Sequence, residues 1–228
     1  MTLVFIHGAG CTAAVFAAQR AAFADSVALT LPGRCGIDGA PETIEAFADA
    51  VAAEIGHLDG TILCGSSMGG AIALELALRD SDRVAGVVLL GSGARLRVAP
   101  ALFESLERDF DAGARALAPM FFAHPDAALV DGAVAALQQV GQAQTLRDFR
   151  ACNAFDVTGR MPSLRAPLLA VTGERDVMTP PKFAEWFADR VPGAQARILP
   201  GAGHLAMIER PDETNDAVRA FAQRLAAN

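Results

Sequence analysis

Five residues, Gly65-Ser66-Ser67-Met68-Gly69, lie between the apolar run Thr61-Ile62-Leu63-Cys64 and the helix-like Ala71-Ile72-Ala73-Leu74-Glu75-Leu76-Ala77-Leu78. A chain that leaves a buried strand and enters a helix within two residues turns so tightly that it needs small residues on both sides of Ser67. Gly65, Gly69 and Gly70 supply them. The turn lifts the Ser67 hydroxyl to the carboxyl edge of a sheet, at a helix N-terminus, which makes it the candidate nucleophile. A serine at a helix start is otherwise an ordinary N-cap, and G-x-S-x-G strings arise by chance. The flanking strand and helix separate the two cases.

Short apolar runs without alternation recur at Leu3 to Ile6, Val27 to Leu31, Ile62 to Cys64, Val84 to Leu90, Leu168 to Val171 and Ala196 to Leu199. Such runs predict strands covered on both faces, and so a mostly parallel sheet of about six strands flanked by helices, an α/β fold. Helix-length segments fall between them: Ala13 to Phe23, Thr43 to Ile55, Met68 to Arg79, Pro181 to Arg190 and Pro211 to Leu225. The last opens with Pro211, Asp212 and Glu213 and ends near Arg219 and Arg224, in keeping with the proline preference at N1 and the helix dipole.

Two later loops complement Ser67. Asp176, in Gly173-Glu174-Arg175-Asp176, follows the apolar run Leu168 to Thr172, and His204 follows Ile198-Leu199-Pro200-Gly201-Ala202-Gly203. A hydroxyl nucleophile needs an imidazole to take its proton and a carboxylate to fix the imidazole tautomer. Glu174 competes with Asp176 for the last role, and His7, His57 and His124 compete with His204. His57 ends a predicted surface helix, and His7 belongs to the turn His7-Gly8-Ala9-Gly10 after the first strand, where a structural role is expected.

Together these features resemble the α/β-hydrolase superfamily, in its small, cap-bearing esterase and enol-lactonase-like branch. The resemblance rests on the elbow, the order Ser67, Asp176, His204, the His7-Gly8 turn, Leu31-Pro32-Gly33-Arg34, the stretch ending at Thr179-Pro180, and Gly203-His204 before the last helix. Thr30 and Cys35 stand where relatives carry Asp and Gly. The likeness implies strand order 2-1-3-4-5-6, with the first two strands of larger members missing. It also implies an oxyanion hole from the backbone N–H groups of Met68 and Ala9, with Gly10 competing with Ala9. No metal or organic cofactor is implied.

From Ala94 to Arg165 no strand-like run appears, but Leu102, Leu106, Leu117, Leu129, Val134, Leu137, Leu146 and Phe149 recur at helical intervals. The expected organisation is therefore a hydrolase core of residues 1–93 and 166–228 with a helical cap insertion at 94–165. Phe103, Phe110, Met120, Phe121, Phe122 and Phe155 are the apolar candidates to line its pocket.

At 228 residues and 52% hydrophobic content, the chain can bury both faces of such a sheet. With 26 acidic against 19 basic residues, the net charge of −7 disfavours nucleic acid and acidic membrane surfaces, and says nothing against a neutral ester. No apolar stretch approaches the roughly 20 residues of a membrane span, and a strand follows Met1 almost at once, so a cytoplasmic monomer or homodimer is expected. Cys11, Cys35, Cys64 and Cys152 are scattered and read as reduced thiols, Cys11 close enough to the His7-Gly8 turn to edge the pocket.

The function implied is a serine hydrolase that cleaves small carboxylic esters or lactones through an acyl-enzyme. Three alternatives remain on these residues: a C–C bond hydrolase, an acyltransferase, and a ligand receptor that keeps the three side chains and binds a partner through the cap. Ser66 and Cys11-Thr12 depart from the Asn and Pro-Gly of C–C hydrolases, and a serine nucleophile does not suit dehalogenase or epoxide hydrolase chemistry.

Overall fold

The computed structural model describes residues 1–56, 59–80 and 83–227; the predicted helix end at His57 falls outside them. Strands β1 (Thr2–Ile6), β2 (Val27–Leu29), β3 (Thr61–Ser66), β4 (Val84–Leu90), β5 (Leu168–Gly173) and β6 (Gln195–Leu199) form one sheet in the order β2-β1-β3-β4-β5-β6. Every neighbouring pair is parallel. The helices are α1 (Ala17–Ala22), α2 (Ile44–Ile55), α3 (Met68–Arg79), α4 (Pro100–Arg108), α5 (Phe110–Leu117), α6 (Ala127–Val140), α7 (Gln142–Ala154), α8 (Lys182–Arg190), α9 (Ala206–Glu209) and α10 (Pro211–Ala226).

The non-alternating runs are buried on both faces where the strands are central. All six residues of β3 and of β5 are buried. Between them and α3, fully buried Ile62, Leu63, Ile72 and Leu74 each contribute ~1.5–3 kcal/mol by leaving water. At the sheet edges the pattern breaks: Val27 is exposed on β2, and Gln195, Ala196 and Arg197 are exposed on β6.

Two predicted boundaries are corrected. The strand expected to run to Leu31 stops at Leu29, because the Leu31 N–H donates to the ring Nε2 of His7 (3.1 Å). The helix expected from Ala13 to Phe23 is a 3-10 turn, Ala13–Phe16, followed by α1; Thr12 caps its start by accepting from the Ala14 N–H. The C-terminal helix begins at Pro211 with Asp212 and Glu213 in its first turn and Arg224 in its last, as the sequence predicts.

A parallel sheet sends every strand's carboxyl end to one rim, the place where open α/β sheets bind ligands. There the loops after β1, β3, β4, β5 and β6 meet. Helices α4 to α7 occupy the stretch between β4 and β5, and its base is sewn together where Val157 donates to the Ala94 carbonyl (2.8 Å) and Leu96 to that of Phe155 (3.3 Å).

Gly69 shows how tightly the rim is packed, since a Cβ there would collide with the backbone carbonyl of Ile6 on β1. Gly69→Ala should lower stability by ~1–3 kcal/mol or more. Gly132→Ala on α6, where a Cβ meets nothing, should raise it by ~0.5–1 kcal/mol. Thermal melts that gave both variants the same midpoint would contradict this packing.

Candidate active site

Ser67 stands between β3 and α3 with φ 50° and ψ −114°, one of two non-glycine residues with positive φ among the described residues. A conformation this sparsely populated costs ~1–3 kcal/mol and persists only where its surroundings enforce it. Here they do: the Ser67 N–H donates to the Leu90 carbonyl (3.0 Å), and its own carbonyl accepts from the Ser92 hydroxyl (2.7 Å) and the Gly70 N–H (2.9 Å). Gly65 is required because a Cβ would run into the Gly69 carbonyl one turn on. The other such residue is Cys35 (φ 53°), standing where the resemblance expects glycine.

His204 and Asp176 are both buried at the same rim, with the ring Nδ1 2.9 Å from Asp176 Oδ2. The Asp176 carboxylate is fully occupied. Its Oδ1 accepts from the Met178 and Thr179 N–H groups (2.9 and 2.8 Å), and its Oδ2 also accepts from the Thr179 hydroxyl (2.7 Å). Burial pushes its pKa up, but the His204 charge and hydrogen bond and the Thr179 donors outweigh burial, leaving it below the ordinary carboxylate value. With Asp176 ionised, the ring carries its proton on Nδ1 and leaves Nε2 as an acceptor. Glu174 lies elsewhere: its carboxylate accepts from the Gly201 N–H (3.0 Å) at the surface.

Ser67, His204, Gly8 and Ala9 line one small cavity of about 10 Å³, together with Cys11, Phe121, Phe149 and Met178. No hydrogen bond joins Ser67 to His204 among the described residues; such bonds commonly close only around a substrate. Neither the Met68 nor the Ala9 N–H has an intramolecular acceptor among the described hydrogen bonds. Met68 is the first residue of α3, where the amides carry the positive end of the helix dipole. The Gly10 N–H, the competitor of Ala9, is already committed to Asp148 Oδ2 (3.0 Å).

The loop carrying Ala9 is clamped from beneath. His7 is completely buried; its Nδ1 donates to the Gly8 carbonyl (2.9 Å) and its Nε2 accepts from the Leu31 N–H. A second proton would face that N–H, so burial and the nearby Arg34 charge lower its pKa to about 3. The structural role expected of His7 follows. His124 is exposed and sits beside Arg175 (3.2 Å).

Larger cavities adjoin the small one. A groove of about 470 Å³ runs over Val98, Leu102, Leu117, Met120, Phe149 and Met178. A second, of about 270 Å³, reaches Ser67 past Arg95, Arg97, Lys182 and Phe183. Phe149 and Met178 border all three spaces. Of the six apolar candidates, Met120 faces the groove and Phe121 the small cavity, while Phe103, Phe110, Phe122 and Phe155 border none of the three. The sequence missed Met178, which the loop after β5 brings over the rim, and the four-donor environment that Thr179 helps build around Asp176. Cys11, Cys64 and Cys152 are buried, which pushes their thiols up in pKa, Cys11 to about 12. Among the described residues no three His, Cys, Asp or Glu side chains converge as a metal site would require, and no helix is long and apolar enough to cross a membrane.

Residues 3–217 match the Alpha/beta hydrolase family, and the chain belongs to it. It is 28% identical over 240 aligned positions to a pimeloyl-[acyl-carrier protein] methyl ester esterase of Aromatoleum aromaticum, covering 92% of this chain and 94% of the relative. Among solved structures it superposes on a thermophilic esterase from Thermogutta terrifontis with TM-score 0.85 and 25% identity, covering 99% of this chain and 90% of the other. The enol-lactonase from Burkholderia xenovorans LB400 shares the fold, with TM-score 0.87 at 23% identity over 97% of this chain and 91% of the other.

The buried His7 gives a signed pH dependence. The unfolded chain binds a proton at this ring below pH 6.5 and the folded chain does not until about pH 3, so stability falls as pH drops through that window. Urea midpoints measured from pH 6.5 to 5, above the range where most carboxylates titrate, should decline in the parent and decline less in His7→Gln. Equal slopes would contradict a neutral, buried His7.

Proposed function

We propose that this protein is a serine hydrolase of small carboxylic esters or lactones that works through an acyl-enzyme, with residues 94–165 acting as the cap over a core of 1–93 and 166–228. The observation that carries this reading is the buried 2.9 Å contact between Asp176 and His204, with His204 lining the cavity that also holds Ser67 and Ala9. His204 Nε2 removes the Ser67 proton as Oγ attacks the substrate carbonyl. Ionised Asp176 holds the ring tautomer and stabilises the imidazolium. The tetrahedral oxyanion is received by the Met68 and Ala9 N–H groups, each such donor being worth ~2.7–4 kcal/mol of transition-state stabilisation. The imidazolium then protonates the leaving alcohol. Water, deprotonated by the same ring, attacks the acyl carbon and releases the acid and Ser67.

The surroundings support an ester whose one side is apolar. The groove over Leu102, Leu117, Met120 and Phe149 suits an acyl or alkyl chain, and Arg95, Arg97 and Lys182 border the second opening. The esterase relative and the esterase structure support the same reaction class.

A screen of p-nitrophenyl esters of graded chain length, lactones, and half-esters of dicarboxylic acids should find steady multiple turnover. Ser67→Ala should reduce it by about 10³-fold or more with the fold intact, because such residues act as a unit. Asp176→Asn should also be strongly impaired by the wrong ring tautomer, and Glu174→Gln should not. Near-normal turnover by Ser67→Ala, or a reversed order for the two carboxylates, would refute the assignment.

A further inference from the structure

The side chains of Asp148 and Arg34 are wholly removed from solvent, yet neither belongs to the Ser67, Asp176 and His204 group. Arg34, from the loop after β2, grips Asp148 of α7 with two parallel hydrogen bonds, Nη1 to Oδ2 (2.9 Å) and Nη2 to Oδ1 (2.8 Å). The same carboxylate has two further donors. Gln144, one turn earlier on α7, donates to Oδ1 (2.9 Å), and the Gly10 N–H donates to Oδ2 (3.0 Å). Arg34 Nη1 also donates to the Cys11 carbonyl (3.3 Å). One buried ion pair therefore holds the Ala9–Gly10 peptide by its N–H and the Cys11–Thr12 peptide by its carbonyl, immediately after Ala9. The contact is steric as well as polar: Gly10 has φ 64°, and a Cβ there would run into Leu137 of α6.

We propose that Asp148, supported by Arg34, is a positioning residue for the oxyanion hole. By fixing the Gly10 peptide it keeps the neighbouring Ala9 N–H aimed at the substrate carbonyl, and it makes oxyanion stabilisation depend on how α7 is seated on the core. This rests on the acyl-enzyme reading above. A consequence is that α7 stays docked through the reaction, and substrate enters beside it over Phe149 and Met178 rather than by α7 lifting.

Asp148→Asn keeps one carbonyl acceptor but sets an amide NH₂ against donors. It should lower kcat by roughly 10- to 100-fold, part of the 10²–10³-fold typical of losing an oxyanion donor, with KM little changed. A trifluoromethyl ketone, which forms a tetrahedral adduct with the serine, should lose affinity by the same factor, while a ground-state product acid should not. Glu75→Gln serves as the stability control, since Glu75 is also buried and paired, with Arg160 (2.6 Å), on the far part of α3. It should lower the melting midpoint without the kcat or inhibitor effect. Should Asp148→Asn fail to fold, Arg34→Lys carries the same measurements, expected to move kcat and ketone affinity together by a smaller factor. Unchanged kcat and ketone affinity, or equal losses for ketone and product acid, would overturn the proposal. Activity that survived Ser67→Ala would instead overturn the reading beneath it.

Discussion

Everything at the rim depends on the turn at Ser67, where a serine is held in a backbone conformation it would not choose. The strain is sustained by the hydrogen bonds to its backbone N–H and carbonyl and by the absence of side chains at Gly65 and Gly69, where β3, α3 and β1 come too close for a Cβ. If the turn relaxed, the hydroxyl would leave the cavity it shares with His204, and the first amide of α3 would swing with it. The strain of ~1–3 kcal/mol is small against the burial of β3 and the apolar face of α3, which explains how a marginally stable chain can sustain it.

Two buried hydrogen-bonded pairs, built by opposite logic, complete the rim. Asp176 and His204 form a pair in which the carboxylate is saturated with donors and so fixes the ring that it holds. Arg34 and Asp148 form an ion pair whose two side chains are both closed off from solvent. Breaking a pair of this kind typically costs ~3–5 kcal/mol, while a well-packed apolar pair in its place is often no less stable, so stability alone gives no reason for charges there. Their contacts with Gly10 and Cys11 supply one, because an apolar pair would leave those backbone groups without partners. The loop is also locked from the β2 side by a neutral His7, so both flanks of Ala9 are fixed.

Most of the fold was legible in the sequence because it rests on local signals. Unalternating apolar runs marked the strands, Pro211 and the charges after it marked the last helix, and the resemblance supplied the strand order that the structure shows. That Ser67, Asp176 and His204 would come to one rim was legible because each lies in a loop after a strand, and a parallel sheet carries all such loops to one side. What escaped was long-range. Asp148 reads as an ordinary helix residue, and only the fold brings it to Arg34, 114 positions away in sequence. Met178 likewise gave no sign that its loop would cover the rim. The choice between Ala9 and Gly10 was open for the same reason, since the acceptor that occupies Gly10 lies on α7.

The central claim is that the Ser67 hydroxyl is activated by the buried His204–Asp176 pair, and reaction with a fluorophosphonate tests it without knowledge of the substrate. Intact-mass and peptide analysis should find one phosphonyl group per chain, on the peptide containing Ser67, formed rapidly in the parent and not at all in Ser67→Ala. An unmodified chain, or a phosphonyl group carried on Ser92 or another serine, would contradict it.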